Sequence, residues 1–325
     1  MVDSTSFLIR TWVFLKKPLV SLAFRVVVSA LLLVLLFRLA VVEKIADVFS
    51  RISLGYLGLY FVFYFLAVGL MALRWQYLLK AWDIERSFRA LFRWLMVGLF
   101  LNNFFPGGLG GDAFRFYAGS QDTGRTQDIA ATIFYERFLS YTSLVLLGLG
   151  ALILRANFSG DRLFWYLLGG IFLALVALFV LLSFAGFRAM LARLIDHFPG
   201  IQKLGLKKWL DSFRFRVHHP LMLPGVFAIS FLIQFVEVFI FHLIALALRL
   251  PVQMSDLFLF VPLLYLATII PVSVNGIGIR ETVFVFFASR WGISQADAVG
   301  FSLTVFTLSL VGSLVGGPFY WVSRK

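Results

Sequence analysis

Long uninterrupted apolar runs are the main pattern of this chain. Stretches such as 55–73 and 167–183 are continuous rather than alternating between apolar and polar positions. Continuous runs that approach about 20 residues indicate helices that cross a bilayer, whereas membrane strands alternate. With a few residues of error at each end, the pattern predicts six full transmembrane helices at 22–42, 53–73, 129–154, 163–184, 221–247 and 296–321.

Two further apolar segments, 91–118 and 257–290, are interrupted by glycine and proline. The first contains the run 102–111, Asn-Asn-Phe-Phe-Pro-Gly-Gly-Leu-Gly-Gly, and the second contains the run 271–278, Pro-Val-Ser-Val-Asn-Gly-Ile-Gly. Such runs cannot remain regular helix, and the backbone groups they free must be satisfied by protein, water or ligand. We predict two re-entrant broken-helix hairpins, each returning to its own side of the membrane.

Composition supports this fold class. Hydrophobic residues make up 61% of the 325 residues and the mean hydropathy is +0.94, so too little polar surface exists for a water-soluble globule. The net charge of +13 is spread over loops, and no nucleic-acid module is visible. The prediction is an all-α integral membrane protein with a single membrane domain, 1–325, and no nucleic-acid partner.

The basic residues also predict an orientation. They collect in the N-terminal arm, in a loop at 74–93 and in a basic cytoplasmic loop at 185–220, and basic loops favour the cytoplasmic side. With both hairpins re-entrant, the N- and C-termini are cytoplasmic, in a membrane of bacterial inner-membrane type. The 185–220 loop either lies amphipathically on an anionic surface or is a solvated connector.

The predicted order of elements occurs twice. Span, span, broken segment and span make a first repeat at 22–154 and a second at 163–321, which starts from the opposite side. Gln127-Asp128 and Gln295-Ala296-Asp297 open corresponding spans. Inverted-topology repeats with discontinuous helices are typical of transporters that bind their substrate near the midplane.

The first break is a candidate anion site. A helix that restarts near Gly111 would direct its N–H groups and its positive dipole end into the break. Arg115 could donate bidentate hydrogen bonds to an oxyanion, and Asp112 could cap the helix or hold Arg115. The other interpretation is a purely structural turn. The substrate-binding candidates in this break are Asn103, Pro106, Gly107, Gly110, Gly111, Asp112 and Arg115.

The second break repeats this arrangement, with Arg280 in the first turn of the restarting helix. If the breaks meet at the repeat axis, Arg115 and Arg280 face a common cavity. Alternatively, Arg280 and Glu281 form a pair that only connects helices. The candidates here are Ser273, Asn275, Gly276, Gly278, Arg280 and Glu281.

Other polar side chains interrupt the predicted spans. Glu136 and Arg137 are further substrate-binding candidates, and we expect Glu136 to pair with Arg115 or Arg280. Gln234, Glu237 and His242 are candidates for energy coupling. Ionisable residues at membrane depth are costly and tend to face a cavity or a partner. Each also has a plain interpretation as an interhelical contact, or as a packed interior histidine.

The sequence gives little support for catalysis. It contains no cysteine, no Gly-x-Ser-x-Gly, no His-Glu-x-x-His and no hydrophilic stretch of domain size. We therefore predict no catalytic residue, no metal site and no cofactor.

Three strings resemble a known family: Asn103 to Gly107 with Gly111, Asp112 and Arg115; Phe134-Tyr135-Glu136-Arg137; and Asn275 to Glu281. Together they are similar to the membrane family grouped with the lysylphosphatidylglycerol synthase transmembrane region. In full-length synthases that region is regarded as a lipid flippase, while aminoacyl transfer belongs to a separate soluble domain. Because the chain ends at Lys325, we expect no synthase activity. Stand-alone members are associated with hopanoid or polyprenyl-linked glycolipid pathways.

The resemblance and the two breaks together predict a lipid translocator. Its cargo would be an anionic or aminoacylated phospholipid, or a polyprenyl-phosphate-linked lipid. One alternative is a membrane-embedded transferase with Asp112 or Glu136 as base. Another is an accessory subunit that binds a lipid-biosynthesis enzyme.

Overall fold

The computed structural model describes residues 53–103, 109–154, 162–196, 222–268 and 278–322. Within these ranges the chain is helical and has no strand. The predicted first span at 22–42 lies outside them, as do Pro106, Gly107, Ser273, Asn275 and Gly276. The helices of the described ranges are α1 Leu54–Ala81, α2 Phe88–Asn102, α3 Leu109–Thr123, α4 Thr126–Leu154, α5 Arg162–Ser183, α6 Ala185–Asp196, α7 Leu223–Ala247, α8 Met254–Thr268, α9 Ile279–Trp291, α10 Gln295–Leu314 and α11 Gly316–Val322.

Four candidate membrane spans are present in the described part of the chain. By length and apolar composition these are Leu54–Ala81, Thr126–Leu154, Leu223–Ala247 and Gln295–Phe319, and Arg162–Leu178 and Met254–Thr268 are shorter apolar helices. The protein is therefore an α-helical membrane protein, as the apolar runs predict.

The predicted loop at 74–93 is wrong at both ends, because helix covers its residues up to Ala81 and again from Phe88. Helix α1 continues to Ala81, eight residues beyond the predicted end of that span at 73. The residues after Arg74 are mostly apolar and include the buried Trp75, Leu78 and Leu79. No glycine or proline ends the helix before Asp83. Arg74 consequently lies inside a helix and is only 4% exposed.

Helices α2 and α3 form a short hairpin on either side of the first break. Its open end is closed by the ion pair of Arg86 and Asp122. Near the break the backbones are close, because a Cβ added to Gly111 would lie 2.8 Å from the carbonyl oxygen of Gly98. A side chain at either glycine would separate the two helices, so their small size sets the hairpin geometry.

Helices α8 and α9 form a second hairpin around the second break. Phe260 on α8 contacts Phe287 and Trp291 on α9, with ring centroids 5.2 and 4.8 Å apart. Helix α9 begins after Gly278, whose φ of 90° is a conformation that residues with a Cβ rarely adopt. Its N–H donates to Glu281 Oε2 at 2.6 Å, so the side chain of Glu281 caps the restarting helix.

Helices α1 and α7 pack antiparallel along their lengths at the centre of the described helices. The N–H of Ser53, just before α1, donates to the carbonyl of Ala247 at the end of α7 at 3.0 Å. Two apolar cores adjoin this pair. One is rich in phenylalanine from α7 to α10, and the other contains Trp75, Leu78 and Met96 from α1 and α2.

The predicted basic loop at 185–220 is helical in its described part, as α6 covers Ala185–Asp196. Residues 197–220 lie outside the described ranges.

Candidate functional site

A buried cluster of charge lies where α1, α3 and α4 meet, beside the second apolar core. Arg74 comes from α1, Arg115 from α3 and Glu136 from α4. Their exposed fractions are 4%, 5% and 4%. Charges removed from water this completely are stable only when paired and hydrogen-bonded, so the contacts among them decide what the site can do.

The Glu136 carboxylate bridges two arginines. Its Oε1 accepts from Arg74 Nη2 at 2.7 Å, and its Oε2 accepts from Arg115 Nη2. The predicted pairing of Glu136 with Arg115 is therefore confirmed. Arg74 is a further partner that the sequence pattern does not predict, because the predicted loop includes it. The signal that could have placed it is the apolar sequence that continues after it without a helix stop.

Polar groups of two helices complete the environment of Arg74. Its Nη1 donates to Ser140 Oγ on α4 at 2.7 Å and to Ser230 Oγ on α7 at 3.4 Å. Gln234, one turn after Ser230, donates to the carbonyl of Ser140 at 3.4 Å. Gln234 thus lies next to this cluster and links α7 to it.

Arg115 lies over an aromatic ring as well as beside a carboxylate. Its guanidinium carbon is 4.1 Å from the ring centroid of Trp75, a distance at which cation–π attraction acts. The Trp75 Nε1 donates to Thr132 Oγ1 at 3.3 Å, which fixes the ring. The Nε atoms of Arg74 and Arg115 are buried and have no hydrogen-bond partner within the described residues.

A second, more exposed ion pair adjoins the buried cluster. Asp112 Oδ2 accepts from Arg137 Nε at 2.8 Å and Nη2 at 2.7 Å, and Asp112 Oδ1 is 3.5 Å from Arg115 Nη1. Asp112 therefore does hold Arg115, one of its two predicted roles. The side chain of Arg137 is 45% exposed, against 7% for Arg115. Positive charge thus continues from the interior to the surface.

An open groove between α3 and α4 ends at the ion pair of Asp112 and Arg137. Its volume is about 390 Å³, and its walls are largely apolar. The lining residues are Asp112, Ala113, Phe116, Ala130, Ile133, Phe134 and Arg137. One guanidinium at the edge of an apolar groove is an arrangement suited to a molecule with an anionic group and a hydrocarbon part.

Asn102 and Asn103 stabilise the first break from within the protein. Asn102 Oδ1 accepts from the Gly111 N–H at 2.6 Å, and Asn103 Nδ2 donates to Ser313 Oγ on α10 at 2.7 Å. The Gly111 donor, predicted to face an anion, is thus used by Asn102, which was not among the candidates. Gly110 is buried beside it, at the start of α3.

The second break carries its own cluster. Glu281, 1% exposed, accepts from Arg280 Nη2 at 3.1 Å and from Ser302 Oγ at 2.9 Å, in addition to its cap on Gly278. The guanidinium carbon of Arg280 is 4.9 Å from the ring centroid of Phe306. The predicted pair of Arg280 and Glu281 is present. The described contacts of Arg115 and Arg280 share no residue, so they do not place both arginines at one cavity.

The candidates for energy coupling are also at separate places. Glu237 accepts from the hydroxyl of Tyr265 on α8 at 2.7 Å. The Nδ1 of His242 is buried and has no partner among the described side chains. In the ranges that the structure describes, no three His, Cys, Asp or Glu side chains converge as metal ligands would.

Comparison with known proteins places the chain among membrane proteins. A UPF0104 membrane protein of Pyrococcus horikoshii is 27% identical over 123 residues, and this match spans 37% of each chain. No solved structure matches. A family model described as the lysylphosphatidylglycerol synthase TM region matches residues 22–317, which include every site residue discussed above. The chain therefore belongs to the family of the lysylphosphatidylglycerol synthase transmembrane region.

Proposed function

We propose that this protein moves a lipid with an anionic headgroup between the two leaflets of the membrane. The cargo is an anionic or aminoacylated phospholipid, or a polyprenyl-phosphate-linked lipid, and the membrane is of bacterial inner-membrane type with both termini in the cytoplasm. Membership of a family named for a lipid synthase supports a lipid-related role. The groove between α3 and α4 supplies the chemical argument.

The observation that carries the proposal is the position of Arg137. Its half-exposed guanidinium lies at the end of an apolar groove, so a phosphate can reach it while acyl chains stay against Phe116 and Phe134. Asp112 contacts Arg137 through two nitrogens, which holds the guanidinium beside the groove that both residues line. A lipid needs this combination because its headgroup is charged and its body is apolar.

Charge balance supports the same proposal. Arg74, Arg115 and Arg137 carry three positive charges, and Asp112 and Glu136 carry two negative charges, which leaves the cluster with one net positive charge. An anionic headgroup next to Arg137 neutralises this excess. A hydrogen-bonded anion–guanidinium contact of this kind contributes about 1.5–3 kcal/mol.

The two short hairpins support transport rather than simple anchoring. Helices α2 and α3 have 15 residues each, or about 22 Å of helix, which is less than the roughly 30 Å of a hydrocarbon core. We interpret both hairpins as re-entrant elements of an inverted repeat with six full spans. Backbone that is not helical at membrane depth is typical of transporter binding sites.

The test is leaflet transfer in proteoliposomes that contain fluorescent phosphatidylglycerol, with a membrane-impermeant quencher added outside. We expect Arg137→Gln to slow transfer at least tenfold, because it removes the groove's headgroup ligand, and Arg137→Lys to retain part of the rate. Arg86→Gln is the matched control, since Arg86 also forms an exposed ion pair with an aspartate but lies outside the groove. Transfer by Arg137→Gln at the rate of the parent protein would refute the proposal.

A further inference from the structure

A second groove, with a different chemical character, opens beside the first two turns of α2. Its volume is about 480 Å³. Four of its lining residues come from α2 and the fifth from α11: Phe88, Arg89, Phe92, Arg93 and Phe319. Residues four apart lie on the same face of a helix, so the two arginines form one stripe and the two phenylalanines form the stripe beside it.

The wall formed by α11 is held in place by close backbone packing. A Cβ added to Gly316 would lie 2.1 Å from the carbonyl oxygen of Met96 on α2, so only glycine allows this approach. Phe319 lies almost one turn further along α11 and lines the groove together with Phe92. The groove is therefore a consequence of fixed helix packing.

The two arginines of this groove have no acidic partner in the part of the chain that the structure describes. Both Arg89 and Arg93 are exposed, and no acidic side chain of the described ranges lies within ion-pair distance of either. Their basic neighbours differ, because Arg86 is paired with Asp122, and Arg125 with Asp128 at 2.7 Å. Among the described residues, the groove thus has two positive charges without an acidic partner, whereas the neighbouring Arg86 and Arg125 are paired.

The groove lies near the C-terminal end of α1, where α2 begins. Helix α2 begins seven residues after the end of α1 at Ala81, and Arg125, just before α4, donates to the carbonyl of Asp83 at 3.0 Å. Ends of membrane helices lie near the lipid headgroups, where arginine reaches phosphate while aromatic rings remain in the apolar layer.

We propose that this groove binds the headgroup of an anionic phospholipid that is retained by the protein rather than transported. Arg89 and Arg93 take the phosphate, and the acyl chains lie against the three phenylalanine rings. A free inorganic phosphate would use only the arginines and leave the rings exposed, so the combination fits a lipid. The groove shares no lining residue with the one between α3 and α4, and retention here is independent of leaflet transfer.

The experiment uses the absence of cysteine in the native chain. Pro318→Cys introduces one thiol next to Phe319 at an exposed position, and this thiol is labelled with a fluorophore. The labelled protein is placed in nanodiscs that contain either brominated phosphatidylglycerol or brominated phosphatidylcholine, and quenching is titrated. We expect a preference for phosphatidylglycerol of roughly thirtyfold, from about 1 kcal/mol for each basic side chain near an anionic lipid.

The expected result is a loss of this preference in the double variant Arg89→Gln with Arg93→Gln, to a ratio near one. Each single variant should lose part of it. Arg249→Asn is the control, because Arg249 is exposed at the opposite end of the α1 and α7 pair and has a φ of 54° that asparagine accepts. The control should keep the full preference.

Three results would overturn the proposal. The first is equal quenching by the two lipids in the parent protein, and the second is an unchanged preference in the double variant. The third is no quenching by either lipid, which would mean that protein covers the groove. Inorganic phosphate at millimolar concentration should not relieve the quenching. Leaflet transfer measured on the same samples separates the two proposals, since the double variant should still transport.

Discussion

Replacing Glu136 by glutamine removes the negative charge that lies between two buried guanidinium groups and changes the size of the side chain very little. Both carboxylate oxygens are engaged, one by Arg74 at 2.7 Å and the other by Arg115. Breaking one buried ion pair typically costs about 3–5 kcal/mol, because an uncompensated charge is left behind. Here two cations lose their partner, so we expect the free energy of unfolding to fall by an amount near the upper end of this range, about 5 kcal/mol.

The measurement is reversible unfolding in mixed micelles of a mild detergent and dodecyl sulfate, followed by tryptophan fluorescence and circular dichroism. Arg137→Gln is the comparison, since it breaks the neighbouring ion pair at a side chain that is 45% exposed. Exposed pairs contribute about 0–1 kcal/mol. The difference in free energy of unfolding between the two variants should therefore be several kcal/mol.

A double variant makes this test sharper. Adding Arg115→Gln to Glu136→Gln removes one of the two uncompensated charges, so the double variant should be more stable than Glu136→Gln alone. Residues in direct contact couple by about 0.5–3 kcal/mol. The reasoning is refuted if Glu136→Gln costs no more than Arg137→Gln, or if the second substitution adds a further loss.

Two other predictions concern the breaks, and both are measured by the same unfolding assay. Gly111→Ala should lower the free energy of unfolding by about 1–3 kcal/mol, because the new Cβ would lie 2.8 Å from the carbonyl oxygen of Gly98. The control Gly150→Ala, whose new Cβ meets nothing within 4 Å, should be neutral or slightly stabilising. Equal effects of the two substitutions would contradict the close packing at Gly111. Glu281→Gln should lower the free energy of unfolding by about 2–4 kcal/mol, since a buried carboxylate that accepts from Gly278, Arg280 and Ser302 loses its charge. A neutral effect would show that these contacts contribute nothing to stability.

The sequence predicts the helices well because their signal is local. Spans predicted at 129–154 and 221–247 are helices at Thr126–Leu154 and Leu223–Ala247. Length and apolar content are sufficient for such segments, since a bilayer requires both. The glycine and proline runs likewise place both breaks between pairs of short helices.

Side-chain partners are less predictable, because they depend on helices that are distant in sequence. The sequence predicts that Glu136 pairs with Arg115 or Arg280, and packing of α3 against α4 selects Arg115. Arg74 is not predictable in this way, because a charged residue after a long apolar run resembles the end of a span. The role of Asn102 is not predictable either, because its hydrogen bond to the Gly111 N–H depends on the approach of two helices.

The buried cluster also has a mechanical consequence. Sliding α3 past α4 by one helical turn, about 5.4 Å, would separate Arg115 from the Glu136 carboxylate, and sliding α1 past α4 would separate Arg74 from it. Either movement would leave a buried guanidinium without its partner. Arg74 further connects this junction to Ser140 and Ser230. The three helices that meet there therefore move as a single block. Any alternation between states of this molecule therefore has its hinges outside that block.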